Sequence, residues 1–152
     1  MKRAIRYQGA ILQESNILLI QHREHESGRS YWLLPGGGIE AGETEESCVL
    51  REMKEETGLD VVIERLLLDE PAPDGDTTYQ RRKTYVCRIV AGDPQPGYEP
   101  EPEVAARYGI AAVGWFDLRS DTKWGEVIAD RFTYPQLKHI QAALGYATTD
   151  QA

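Results

Sequence analysis

Cysteine and histidine are scarce, with two of the first, Cys48 and Cys87, and three of the second. Two cysteines without metal-ligand spacing build neither a disulfide framework nor a thiolate zinc site, so both are expected as small buried residues in a reducing cytoplasm. A surplus of basic charge is also missing, since 17 Lys and Arg stand against 25 Asp and Glu for a net charge of −8. A general nucleic-acid surface needs a basic patch or stripe, and this balance argues against one. Long apolar runs are absent too. After Met1-Lys2-Arg3, the polar residues Arg6, Gln8, Gln13 and Glu14 break up the apolar stretches, so neither a signal peptide nor a membrane span is expected, and the reading is a soluble cytoplasmic protein. No internal repeat is found. At 152 residues the chain is the size of one domain, expected over 1–147, with 148–152 a short disordered end.

What is present is concentrated in 37–59. Counting 40–60 gives seven Glu and one Asp against Arg51 and Lys54, a net of −6, so most of the acidic excess sits here. Two turn signals, Pro35-Gly36-Gly37-Gly38 and Ala41-Gly42, lead into about four predicted helical turns ending at Gly58. At about 100° per residue, Glu55 and Glu56 lie within about 60° of Glu52, so one narrow face carries three acids. Val49, Leu50 and Met53 fall on an adjoining face. Like charges at this spacing destabilise a helix by roughly 0.2–0.5 kcal/mol per pair. A hard divalent cation, held by oxygen ligands, would give a reason to gather them. A solvated acidic face would look the same in these three residues alone.

The surrounding pattern resembles the signature of the Nudix (MutT-like) hydrolases: Gly, five residues, Glu, seven residues, Arg-Glu-apolar-x-Glu-Glu-x-Gly-apolar. Gly37, Glu43, Arg51, Glu52, Glu55, Glu56 and Gly58 match by identity, and Met53 and Leu59 fill the apolar positions. The resemblance implies an α/β fold, the Nudix-type α/β/α sandwich with a mixed β-sheet between helices. It implies an enzyme acting on a phosphoric anhydride, with Mg²⁺ as cofactor and Mn²⁺ able to replace it. Glu52, Glu55 and Glu56 with the Gly37 carbonyl are then the metal ligands, and Glu43 and Arg51 fix the loop against the helix. Gly36 and Gly38 are candidates to approach a phosphate through their backbone. Some Nudix domains bind nucleotides and regulate partners without turnover. Those often lose signature carboxylates, and none is lost here.

Elsewhere the signals are weaker. Residues 4–12 and 16–21, around Glu14-Ser15-Asn16, read as an antiparallel strand pair. His22 and His25 precede an exposed loop, and metal ligation by them is not expected. In similar proteins a basic residue at the end of this strand often contacts substrate phosphate, a role open to Arg23, as is that of a solvated arginine. Tyr31-Trp32-Leu33-Leu34 reads as a buried strand delivering the glycine loop, with Trp32 packed in the core. Glu45 and Glu46 suit the helix N-terminus. Strands are expected over 60–69, 79–90 and 113–118, with a loop at 71–76. The run Arg81-Arg82-Lys83 either grips polyphosphate or forms a wet basic edge. Residues 91–103, rich in proline, read as a loop, and Glu99, Glu101 and Glu103 on it are candidates for a general base. In similar proteins the base often comes from this region. A last helix is expected from Tyr134 to Gly145, with His139 exposed. A nucleoside triphosphate, cleaved to monophosphate and pyrophosphate, is the default substrate. ADP-ribose or another nucleotide sugar is the rival, given Pro71 and Pro73 beyond the signature. The partner is a small-molecule nucleotide, with no nucleic acid and no membrane. Oligomeric state is not readable, although similar proteins are often homodimers.

Overall fold

The computed structural model describes residues 3–98 and 102–146. Strand β1 (Arg3–Gln13) turns at Glu14 and Ser15 into β2 (Asn16–Glu24), and Glu14 takes a φ of 55° to make the reversal. β3 (Ser30–Leu33), the two-residue β4 (Gly36–Gly37), β5 (Asp60–Pro71), β6 (Tyr79–Ala91) and β7 (Tyr108–Asp117) complete one sheet of seven strands. Its order is β3-β2-β1-β6-β5, with β4 added to β1 and β7 to β2. Among the described residues only the β1–β6 pair is parallel, so the sheet is mixed.

β1 and β2 pair only at Leu12↔Ile17 and Gln13↔Asn16, next to their turn. Farther along, β1 instead pairs with β4, at Tyr7↔Gly37 and Gln8↔Gly36. The glycine loop is thereby seated as a short strand against β1, close to the helix that follows.

That helix, α1 (Glu45–Thr57), starts at Thr44, whose hydroxyl accepts a bond from the Ser47 amide at 3.1 Å. This is the capping that a threonine before an apolar periodic run predicts. It ends at Gly58, whose φ of 76° closes the left-handed cap onto the Lys54 carbonyl. Cys48, Val49 and Met53 form its buried stripe and pack on Tyr7, Ile11, Leu18, Tyr85 and Cys87 from the sheet. Truncating fully buried Met53 to alanine would cost about 2–5 kcal/mol. Leu50, expected on the same face, is instead 41% exposed.

A second apolar layer covers the opposite face of the sheet. There Ala10, Ile17, Leu19 and Leu34 meet Leu137 and Ile140 of α3 (Thr133–Leu144), together with Leu118, Trp124 and Val127. The result is the expected α/β/α sandwich. Among the described residues, no helix is long and apolar enough to cross a membrane.

Four details differ from the sequence reading. β2 runs to Glu24, which places His22 in the sheet and buries it, rather than leaving it at the edge of an exposed loop. β7 begins at Tyr108, five residues before the predicted start, because Tyr-Gly-Ile-Ala-Ala becomes a strand by pairing with β2. Pro102 opens a one-turn helix, α2 (Pro102–Ala105), inside the predicted loop, as proline at a first helical position allows. Two short 3-10 helices (Asp121–Lys123 and Gly125–Ala129) flank Trp124, whose indole N–H bonds the Asp117 carbonyl at 2.8 Å. The predicted disordered end at 148–152 lies outside the described residues.

Candidate active site

The acid face of α1 looks onto the glycine loop. A Cβ built on Gly37 would lie 2.5 Å from Glu52 Oε1, so only glycine lets the loop approach this carboxylate. Glu56 accepts the Gly36 amide through Oε1 at 2.6 Å. Gly36 and Gly37 are therefore held by the acid face itself. The Gly38 carbonyl accepts from Arg51 Nη2 at 3.1 Å.

Arg51 is the hub. Its Nε donates to Glu43 Oε2 at 2.6 Å and Nη2 donates to Glu43 Oε1 at 3.0 Å, a bidentate pair. Its Nη1 donates to Glu52 at 3.0 Å and to Glu55 at 3.1 Å. Glu43 in turn accepts the Glu40 amide at 2.8 Å, which closes the loop onto the helix. The expected supporting pair is thus assembled, and the guanidinium sits where two of the predicted ligands converge. Glu43 is held below the usual carboxylate range, mainly by its bond from Arg51.

Glu52 moves the other way. Burial pushes its carboxyl up from 4.5 to about 7, only partly offset by the Arg51 and Arg6 cations. Desolvation outweighs pairing at this position.

Arg6 had no signal in the sequence. It projects from β1, donating to the Leu34 carbonyl at 2.8 Å and to Gln8 at 3.3 Å. Burial alone would lower the pKa of its guanidinium, but Tyr79, Glu56 and Glu52 together hold it above its ordinary value. It is a second internal cation facing the acids. Close to it, the register of β2 against β7 breaks between Gln21 and His22. The His22 ring stacks on Tyr108 at 4.8 Å and leans on Tyr31 at 5.6 Å. Among the described residues neither ring nitrogen of His22 has a hydrogen-bond partner. Burial, aided by Arg6, lowers its pKa to about 4.

Other candidates are placed differently. Arg23 is exposed and donates to Ser30 Oγ at 3.2 Å across the β2–β3 pair. Trp32 packs edge-on against Phe116, and its indole N–H reaches Glu126 at 2.7 Å. The basic run is already paired: Arg81 with Asp69 at 2.8 Å, Arg82 with Glu70 at 2.9 Å and Lys83 with Glu45 at 2.9 Å. Glu45 also accepts from Tyr85 at 2.6 Å, so beyond its favourable place at the helix start it ties α1 to β6. These contacts lie beside an open groove of about 920 Å³ between the start of α1 and β5–β6, on the flank of the helix. Glu103 is exposed on α2. Glu99 and Glu101 lie outside the described residues.

A metal ion can be tested against this arrangement by its donors. Among the described residues, no three His, Cys, Asp or Glu side chains form a ready-made cage. The donor chemistry still fits a hard cation: Glu52 and Glu55 share one focus, now taken by Arg51 Nη1, and Gly37 backbone packs against Glu52. All of these donors are oxygens.

Comparison with known proteins gives the same signature a wider frame. The NUDIX domain model matches residues 5–133. A putative nudix hydrolase 1 of Caenorhabditis elegans is 36% identical over 97 residues, covering 64% of this chain and 25% of the relative. An ADP-ribose pyrophosphatase of Methanocaldococcus jannaschii is 42% identical over 73 residues, 48% of this chain and 43% of the relative. The chain thus spans less than half the length of either relative. Among solved structures, an ADP-ribose pyrophosphatase from Streptococcus suis superposes with a TM-score of 0.64 at 25% identity, covering 95% of this chain and 96% of that one.

Proposed function

Because the chain belongs to the Nudix family, we propose that it is a divalent-metal-dependent hydrolase of a phosphoric anhydride in a nucleoside diphosphate linked to another group. The observation that carries this reading is the focus of Glu52 and Glu55 on a single cation beside the Gly36–Gly37 strand, with Glu56 tied to the same strand. Glu52, Glu55, Glu56 and the Gly37 carbonyl would hold Mg²⁺, with Mn²⁺ as a substitute. Such an ion supplies charge neutralisation and Lewis acidity at the diphosphate.

The chain's own residues do the rest. Arg51, clamped by Glu43, orients the Glu52 and Glu55 carboxylates. The Gly36 amide holds Glu56 Oε1, so the carboxylate of Glu56 is fixed against the glycine strand. Arg23 would meet phosphate from the end of β2. Glu101 or Glu103 would accept the proton of the attacking water.

For the substrate we retain a nucleoside triphosphate, released as monophosphate and pyrophosphate. A second reading, ADP-ribose, is favoured by the two ADP-ribose pyrophosphatases among the similar proteins. The test is incubation with Mg²⁺ and a panel of nucleoside triphosphates, nucleotide sugars and dinucleotide polyphosphates, with the products resolved by chromatography. Pyrophosphate from a triphosphate supports the first reading, and AMP with ribose 5-phosphate from ADP-ribose supports the second. Tight binding across the panel without any product would replace both with a regulatory, non-catalytic role.

A further inference from the structure

The last turn of a helix leaves carbonyls without intrahelical partners. In α1 these belong to Glu55, Glu56 and Thr57, two of them residues of the acid face, and all three are claimed by one distant segment. The Gln95 amide donates to the Thr57 carbonyl at 2.9 Å, the Gly97 amide to Glu56 at 3.0 Å and the Tyr98 amide to Glu55 at 3.1 Å. The approach is so close that a Cβ on Gly97 would lie 1.8 Å from the Glu55 carbonyl oxygen and 2.7 Å from the carbonyl carbons of Glu55 and Glu56. No side chain fits there. Pro94 and Pro96 restrict the backbone on either side of Gln95, so the segment meets the helix already partly ordered.

We propose that residues 94–98 are a positioning strap for the metal site, with Gly97 as its contact point. By holding the main chain of Glu55 and Glu56, the strap fixes the direction in which their carboxylates leave the helix. Without it the final turn of α1 would fray, as helix ends do when their carbonyls lack partners. The oxygens of Glu55 and Glu56 would then spread over several positions instead of one. Gly97 touches no substrate atom and acts only through those two residues. The inference rests on the metal-site reading above.

The test uses the full chain and Mn²⁺ alone as probe, with binding followed by electron paramagnetic resonance and no nucleotide present. Gly97→Ala forces the strap off the helix. Gly92→Ala is the control, because it burdens the same loop at a φ of 92° and crowds the Gly58 carbonyl at 2.9 Å, away from the acid face. Both variants should melt earlier than wild type. Only Gly97→Ala should weaken Mn²⁺ binding, by about tenfold or more, the usual size of losing a contact that orients a ligand. It should also release the Gly97-to-Glu56 and Tyr98-to-Glu55 amide bonds in hydrogen exchange. Should Gly97→Ala fail to fold, Tyr98→Pro, which removes the amide donated to Glu55 and sets the ring against that carbonyl while keeping the Gln95 and Gly97 donors, carries the same expectation. Equal Mn²⁺ affinity in Gly97→Ala and Gly92→Ala would overturn the strap as a positioning device. A wild-type protein that binds no Mn²⁺ would instead overturn the metal site on which it depends.

Discussion

Replacing Glu52 with glutamine should make the metal-free protein more stable while removing its activity. The carboxyl of Glu52 is raised from an ordinary 4.5 to about 7, with burial as the largest cause. Its side chain is only 12% exposed, so solvent does little to screen the effect. At about 1.36 kcal/mol per tenfold change in proton affinity, the buried anion at pH 8 costs roughly 3 kcal/mol relative to a neutral group. The sign follows from the raised pKa. Stability from the protonated group is fully present below pH 4.5 and is lost as pH rises through 7. Glutamine, neutral at every pH, keeps that stability. Glu52→Gln should therefore exceed wild type by about 3 kcal/mol at pH 8, or roughly 6–12 °C in Tm, and by under about 1 kcal/mol at pH 5. Thermal melts in EDTA followed by circular dichroism at the two pH values measure it. The wild-type pH profile alone would mislead, because His22 works in the opposite direction. Its pKa falls from 6.5 to about 4, so its contribution is present above 6.5 and is lost as pH falls toward 4. Only the difference between variant and wild type isolates Glu52. A Glu52→Gln protein that melts below wild type at pH 8 would show that the Arg51 ion pair outweighs desolvation, and the reasoning would fail.

Arg51→Met strips the clamp from Glu43, Glu52 and Glu55 and should cost about 3 kcal/mol in urea unfolding, near the low end for a broken buried pair because Arg51 is 21% exposed. Glu56→Gln keeps an oxygen for the Gly36 amide, so the fold should hold while kcat on the substrate found in the nucleotide panel falls by about 100-fold or more at saturating Mg²⁺; wild-type turnover would remove Glu56 from the metal site. His22→Phe retains a ring between Tyr31 and Tyr108 and deletes two buried nitrogens that lack a partner among the described residues. It should raise stability by about 1 kcal/mol in chemical denaturation, and a loss would mean that the nitrogens have partners in solution.

The elements that could be read from the sequence are those whose local signals are complete. Gly58 closes α1 and Val49 and Met53 keep helical spacing, so the helix and its end were found, although Leu50, expected beside them, is exposed. β6 alternates β-branched and aromatic residues and was found likewise. β4 could not be found, because two glycines have no strand propensity and pair only because the acid face holds them. The first half of β7 hid for a related reason, since glycine and alanine become strand only beside β2. The signature acids were visible as a set, but their unequal environments were not. Periodicity placed Glu52, Glu55 and Glu56 on one face without showing that Glu52 and Glu56 are buried while Glu55 is only half-buried. The basic run at 81–83 looked available for phosphate, yet each side chain is paired with an acid 12 or more positions away. Such pairing belongs to the sheet, not to any local pattern.

The acid face can exist in a folded protein because its counter-charges come from within. Glu43, Glu52, Glu55 and Glu56 are four carboxylates, and two guanidiniums, Arg51 and Arg6, face them. Among the described residues these acids, joined by Glu40 at 3.6 Å from Arg51 Nη1, outnumber the two cations. The chain answers that deficit in two ways. It raises the pKa of Glu52, so a proton can offset one of the negative charges. It also lets Arg51 span Glu52 and Glu55, filling their shared focus with a side chain that Glu43 holds with two bonds. Glu43 thus does more than fasten a loop. By binding Arg51 bidentately, it fixes the fork whose Nη1 reaches the other two carboxylates. The eight-residue spacing of Glu43 and Arg51 therefore sets the position of the cation as well as that of the loop.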